Sequence, residues 1–289
     1  MRLGIVMMGT GVFAAANAGV LRLLGERAMD IYAVCGMQDG AWTAALHVTG
    51  YDAQSMEKAL VHGAGGRARL LCAQHSAHAL LSGKRAWLCD GRRIERLIKK
   101  QIGEKPLGLC NHRGMFPCRL ASSGKRVIFT TYAYACGRAC ELAQQATTGF
   151  AARAAMANPP FFAPLPWGGS WLLAEEDAAW AAKQLIQMGA DRILIVSPQA
   201  EMGMETNALE LAAARRGWAQ QIEGDAAAIL RVCIPQGVHA LDYHRIERVI
   251  QAGYEAAQAG MDEALHKLGM TQCRILPFRA RAELEISRR

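Results

Sequence analysis

The sequence predicts an α/β fold, a mostly parallel sheet covered by helices on both faces. Three observations carry this expectation. Short apolar runs of strand length recur at 3–8, 31–35, 127–132, 193–196 and 229–234. They are continuous rather than alternating, as strands buried on both faces are. Between most of them lie helix-forming stretches, and strands that alternate with helices form parallel sheets through crossover connections. At 289 residues, 52% hydrophobic and 20% charged, the chain has material for a sizeable core and is neither disordered nor a coiled coil. One domain, 1–289, is expected.

Taken in order, residues 3–8 form the first strand and Gly9-Thr10-Gly11 the turn after it. Residues 14–25 read as a small-residue helix and 31–35 as a second strand. Residues 47–84 hold no clean strand; helices at 53–63 and 67–82, separated by Gly63-Ala64-Gly65-Gly66, suggest a helical cap inserted at about 47–105. Residues 90–102 are amphipathic. Ile94, Leu97, Ile98 and Ile102 share one face, and Arg92, Arg93, Arg96, Lys99 and Lys100 crowd the others. Glu95 stands four residues before Lys99, a favourable pairing. Residues 126–134 are rich in strand formers, and 135–156 form helix apart from breaks at Gly137 and Thr147-Thr148-Gly149. Pro159 to Pro166 is a proline-rich loop. Gly168-Gly169-Ser170 reads as a hairpin turn, followed by a helix at 175–188, strands at 193–196 and 229–234, and a long final helix at 243–268.

The formal charge of +8 favours anionic partners, the class that takes in phospholipid surfaces, nucleic acid and acidic small molecules. The basic helical segment places an anionic membrane surface at 84–105 among the candidate partners; nucleic acid is not expected, and the oligomeric state is left open. Nine cysteines, an odd number scattered from Cys35 to Cys273, fit reduced thiols in a cytoplasmic protein better than a secreted disulfide scaffold. The start, with Arg2 and Ala14-Ala15-Ala16-Asn17-Ala18, imitates a secretory signal. Gly4, Gly9, Thr10 and Gly11 interrupt it, as a strand and glycine turn require. No stretch of eighteen uninterrupted apolar residues predicts a spanning helix.

Chemistry points to Gly36-Met37-Gln38-Asp39-Gly40. This is the pattern of a nucleophile elbow, Gly-x-Ser-x-Gly between strand and helix, with glutamine in the serine slot. An amide is no nucleophile, so no acyl-enzyme forms on Gln38. Its donor and acceptor groups suit a carboxylate or amide of a ligand. Asp39, one residue further, is expected to turn away from the pocket, and Cys35 to be an inert thiol in the strand.

The order of these motifs resembles bacterial patatin-like phospholipases. Gly19-Val20-Leu21-Arg22-Leu23-Leu24 matches a helix phrase of that family, and Gly36 follows Gly19 by seventeen positions, which fits the family spacing without a gap. Ala155 to Pro164 is similar to the segment before the family's catalytic aspartate. Gly189-Ala190-Asp191-Arg192 and the strand after it resemble a further family phrase, and Val232 to Gly260 resembles the tail of its smaller members. Only the cap region, taken here as roughly 47–83 and 106–124, is unmatched. The resemblance implies a three-layer patatin-like fold with a helical cap and a serine–aspartate dyad for lipid acyl hydrolysis. Here the dyad positions are Gln38 and Leu173, and the basic residue of the oxyanion loop is Phe13. A degenerate member, a pseudoenzyme with no catalytic residue, is therefore expected. Its ligand pocket, for a lipid or acyl chain or a protein partner, would draw on Gly9, Thr10, Gly11, Gly36, Gln38, Asp39 and Gly40. The alternatives are an active esterase with an unorthodox centre, to which Asp177 could contribute, and a basic membrane-surface module.

No cofactor and no metal are expected. Cys110, His112 and Cys118, with Cys136 and Cys140, are metal-ligating residue types, but they lack the paired Cys-x-x-Cys spacing of zinc sites. Gly9-Thr10-Gly11-Val12-Phe13-Ala14 is only a weak match to a dinucleotide loop.

Overall fold

The strand β1 (Leu3–Met7) has all five of its residues buried, as the middle of a sheet demands. The computed structural model describes residues 1–64, 87, 89–135, 140–200 and 226–270. After a 3-10 turn at Gly11–Ala15 come α1 (Ala16–Glu26) and β2 (Ile31–Gly36), which leads into α2 (Gly40–Val48). Two helices of the predicted cap follow, α3 (Ala53–Ala64) and α4 (Arg92–Ile102). The chain continues through β3 (Arg113–Leu120), β4 (Arg126–Thr130), β5 (Cys140–Ala143) and α5 (Thr148–Ala155). The hairpin β6 (Leu165–Trp167) and β7 (Ser170–Ala174), α6 (Ala178–Met188), β8 (Arg192–Ala200), β9 (Ala227–Ile234) and α7 (Ile246–Lys267) complete it.

Among the described residues the sheet runs β5-β4-β3-β2-β1-β8-β9, with β7 joined to β3 and β6 to β7. Its centre is parallel: β1 pairs with β2 and β8, β2 with β3, and β8 with β9. β4 and β7 run antiparallel to β3. Alternate residues of β1 feed two cores. Leu3, Ile5 and Met7 join α1, α2 and α7 on one face, while Val6 and Met8 meet Ala181, Leu185 and Met188 of α6 on the other. This is the three-layer α/β arrangement the sequence predicts.

Two expectations need correction. Residues 113–120 are not part of a cap: they form β3, a strand inside the sheet. Gly114, Pro117 and the flanking arginines hide its strand character. Pro117 lies between β2's pairing and β7's, facing Ile128 of β4. Residues 140–143 are strand rather than helix, because β4 offers a parallel edge there and pairing overrides local helix propensity. The helix begins at Thr148, whose predecessor Thr147 caps it by accepting a hydrogen bond from the Phe150 N–H. Expectations for 67–82 and Cys136 lie outside the described residues.

Helices α3 and α4 are joined by one side chain. Gln101 of α4 accepts from Trp42 Nε1 at 2.8 Å and donates to the Ala59 carbonyl of α3 at 2.6 Å. The Tyr51 hydroxyl donates to the Gln101 carbonyl. Ile94 and Ile98 of α4 are buried, as the amphipathic pattern predicts.

Candidate functional site

The carboxyl end of the parallel strands is where open α/β sheets place their sites. Here β1 ends at the glycine loop and β2 ends at the elbow. Gln38 stands at φ +51°, and only one other non-glycine residue described, Ala28, has positive φ. A glutamine in this region costs on the order of 1 kcal/mol or more. The backbone thus makes the sharp left-handed turn at Gln38, with an amide side chain at its tip. Gly40 is required by close approach, since an added Cβ would meet the Met7 carbonyl. Gly36 would press on Ala41 and Ala44 of the helix that follows.

Gln38 is fully buried (0% exposed), with its Oε1 3.4 Å from the Thr10 hydroxyl. Asp39 does not turn away. It is also buried (5%), and its Oδ2 accepts from the Gly11 N–H at 2.5 Å, while its own N–H donates to the Gly9 carbonyl. The reason is geometric: the positive φ at Gln38 reverses the chain and swings the next side chain under the glycine loop. Gly11 is at φ +59° and lies hard against the Ala240 carbonyl, so no Cβ fits there. The loop's remaining donors point inward as well. Val12 N–H donates to the Ala240 carbonyl at 2.8 Å and Phe13 N–H to the Thr10 carbonyl at 3.3 Å.

Burial pushes the Asp39 carboxyl up to about 7; the Gly11 N–H and the Arg153 charge pull the other way. Arg153 is the residue that sequence reasoning missed. It is 1% exposed, and its Nη2 donates to the carbonyls of Asp90 and Ala163. Burial lowers its pKa, against the acids Glu95, Asp39 and Asp90. Its Nε and Nη1, and Oδ1 of Asp39, are buried with no hydrogen-bond partner. The signal was present in Ala151-Ala152-Arg153-Ala154-Ala155: an arginine amid alanines on a helix is a charge inside a core.

Two cavities of about 10 Å³ each, the size of one water, adjoin Asp39 and Gly11. One is walled by Cys89, Phe161, Phe162, Leu241 and Tyr243, and the other by Trp42, Thr43, Leu60, Met156 and their neighbours. Gln38 and Leu173 line neither. A larger hollow, about 700 Å³, opens between α1, α3 and α7. None of its lining residues belongs to the elbow, and its Arg22 is engaged by Glu57 and Gln251.

Leu173 is half-buried in β7, in register with Arg119 of β3. β7 takes over the edge of β3 where β2 departs: Cys35 pairs with Met115, and Ala174 with Cys118. The acid of this strand end is Glu175, fully buried (0%). It accepts from Arg119 Nη2 at 2.6 Å, Arg126 Nε at 2.8 Å and the N–H groups of Glu176 and Asp177. Asp177 caps α6 through the Trp180 N–H and pairs with Arg126, a structural use of its carboxylate.

Cys35 is buried beneath the elbow, and burial raises its pKa well above the ordinary thiol value. Cys110 contacts the Thr148 hydroxyl, Cys118 lies in the core, and His112 stacks on His47. No group of three potential metal ligands occurs among the described residues. No described helix is long and apolar enough to cross a membrane.

No known protein-family profile matches this chain, and no curated protein does. Solved structures do. VipD from Legionella pneumophila superposes with a TM-score of 0.51 at 13% identity, over 91% of this chain and 67% of its own. The chain has the patatin-like fold. Weaker likenesses are the type III effector protein ExoU, with TM-score 0.44 and 14% identity over 91% of this chain and 53% of that one. Human GIVD cytosolic phospholipase A2, solved with a fluorophosphonate inhibitor, gives 0.45 and 14% over 93% and 60%. The patatin-like chain described here thus spans between about half and two thirds of the proteins it matches.

Proposed function

We propose that this chain is a pseudoenzyme of lipid acyl hydrolase ancestry, a patatin-like scaffold that binds rather than hydrolyses. One observation carries the reading: the loop that would stabilise an oxyanion has spent its donors inside the protein. Gly11, Val12 and Phe13 N–H groups go to Asp39, Ala240 and Thr10 respectively. An oxyanion hole works because its donors are preorganised and free to meet developing charge. Here the elbow's own carboxyl holds the Gly11 donor. Two further obstacles are independent of it. The Gln38 amide cannot attack a carbonyl, and Leu173 cannot take up a proton.

The ligand this reading favours is an acyl chain or a protein partner at the elbow. The water-sized cavities there admit an acyl chain only if Leu241 and Tyr243, which wall one of them, move aside. The test is incubation of the full chain with a fluorophosphonate probe and a short-chain aryl ester. No labelling and no turnover above buffer are expected. A label mapped to a residue of 36–40 would overturn the proposal in favour of an esterase with an unorthodox centre. Gln38→Ser alone is expected to stay silent, since it supplies neither a base nor a vacant donor.

A further inference from the structure

We infer that the outer face of α4 is a docking surface for anionic phospholipid bilayers. The argument begins with angles around the helix. At about 100° per residue, Arg92, Arg93, Arg96 and Lys100 fall within an arc of about 100°. All four are exposed, and the buried Ile94 and Ile98 lie on the opposite side. One acid reaches the start of this arc: Asp90, just before the helix, accepts from the Arg92 N–H at 3.0 Å and lies 3.8 Å from Arg92 Nε. Glu95 projects at its flank and is engaged by Lys99 at 3.2 Å, and Glu104, beyond the helix end, meets the same lysine at 3.3 Å.

The position favours a surface over a small anion. The cations form a ridge without a cradle, which suits a sheet of charge. They also lack interleaved aromatic side chains, on which single-stranded nucleic acid stacks. Immediately before the ridge, Cys89 walls the elbow cavity and Gly91 backs onto Arg153. A bilayer held against α4 would thus meet the side of the molecule where that cavity lies. Each cation near an anionic membrane contributes on the order of a fivefold gain in partitioning.

The experiment is co-sedimentation of the full chain with vesicles of phosphatidylcholine alone and of equimolar phosphatidylcholine and phosphatidylserine, at low and high salt. Binding only to the anionic vesicles, abolished by salt, is expected. Arg96→Gln/Lys100→Gln should lower it by about tenfold or more, whereas Lys183→Gln/Lys267→Gln, the same charge loss elsewhere on the exposed surface, should leave it nearly unchanged. Circular dichroism confirms that both variants fold. Equal loss in the two variants, binding indifferent to phosphatidylserine, or tighter binding to a single-stranded oligonucleotide than to the vesicles would each overturn the inference. Its outcome does not depend on whether the elbow is silent.

Discussion

Asp39 is the residue whose chemistry is most altered by its place. The unfolded chain ionises it near 3.8 and the folded chain at about 7. Between those values the native state keeps a proton that the unfolded state has lost, so stability falls as pH rises. The slope is at most about 1.4 kcal/mol per pH unit, and the contribution is full below 3.8 and lost above 7. His47 acts in the opposite sense. Burial, then the neighbouring His112, lowers it from 6.5 to about 4, so stability falls as pH drops through that window. The clean measurement is therefore a difference. Urea unfolding of the parent and of Asp39→Asn from pH 4 to 7 should show the parent losing stability relative to the variant as pH rises. A constant difference would mean that Asp39 ionises normally.

At the scale of elements, the end of α1 shows how tertiary context tolerates a poor residue. Ala28 N–H donates to the Gly25 carbonyl and Met29 N–H to the Leu24 carbonyl, the two bonds of a Schellman motif. The position between them needs the left-handed region, and Ala28 adopts it at φ +49° while exposed to solvent. Ala28→Gly should stabilise the protein by about 1 kcal/mol, raising Tm by about 2–4 °C. Thermal unfolding checks it, and a fall in Tm would show that the cap is not formed. Gln38 is strained in the same way, but there the backbone is bent for the elbow and the side chain is buried. Elements with continuous apolar runs, β1, β2 and β8, were legible because burial on both faces leaves that signature. β3 and β5 were not, since their strand character comes from neighbouring edges rather than from their own residues.

For the molecule as a whole, Glu175 is a junction: its carboxylate joins β3, β4 and the turn into α6 through two arginines and two backbone donors. Both arginines are partly exposed, which moderates the cost of losing the charge. Glu175→Gln should destabilise by about 2 kcal/mol, read as a lower urea midpoint with an unchanged slope. An unchanged midpoint would show that solvent replaces the pairs at no cost.

The sequence by itself determined the α/β class, the glycine loop, the elbow and the amide at its tip. These depend on local rules, since a continuous apolar run implies a doubly buried strand and glycines at fixed spacing imply tight approach. Only the tertiary structure decided what fills the site. That Asp39 swings under Gly11, that Arg153 lies buried beyond it, and that Glu175 binds two distant arginines all depend on contacts between residues far apart in the chain. A sequence read along its length contains no distances between such residues; packing supplies them, and with them the electrostatics of the elbow.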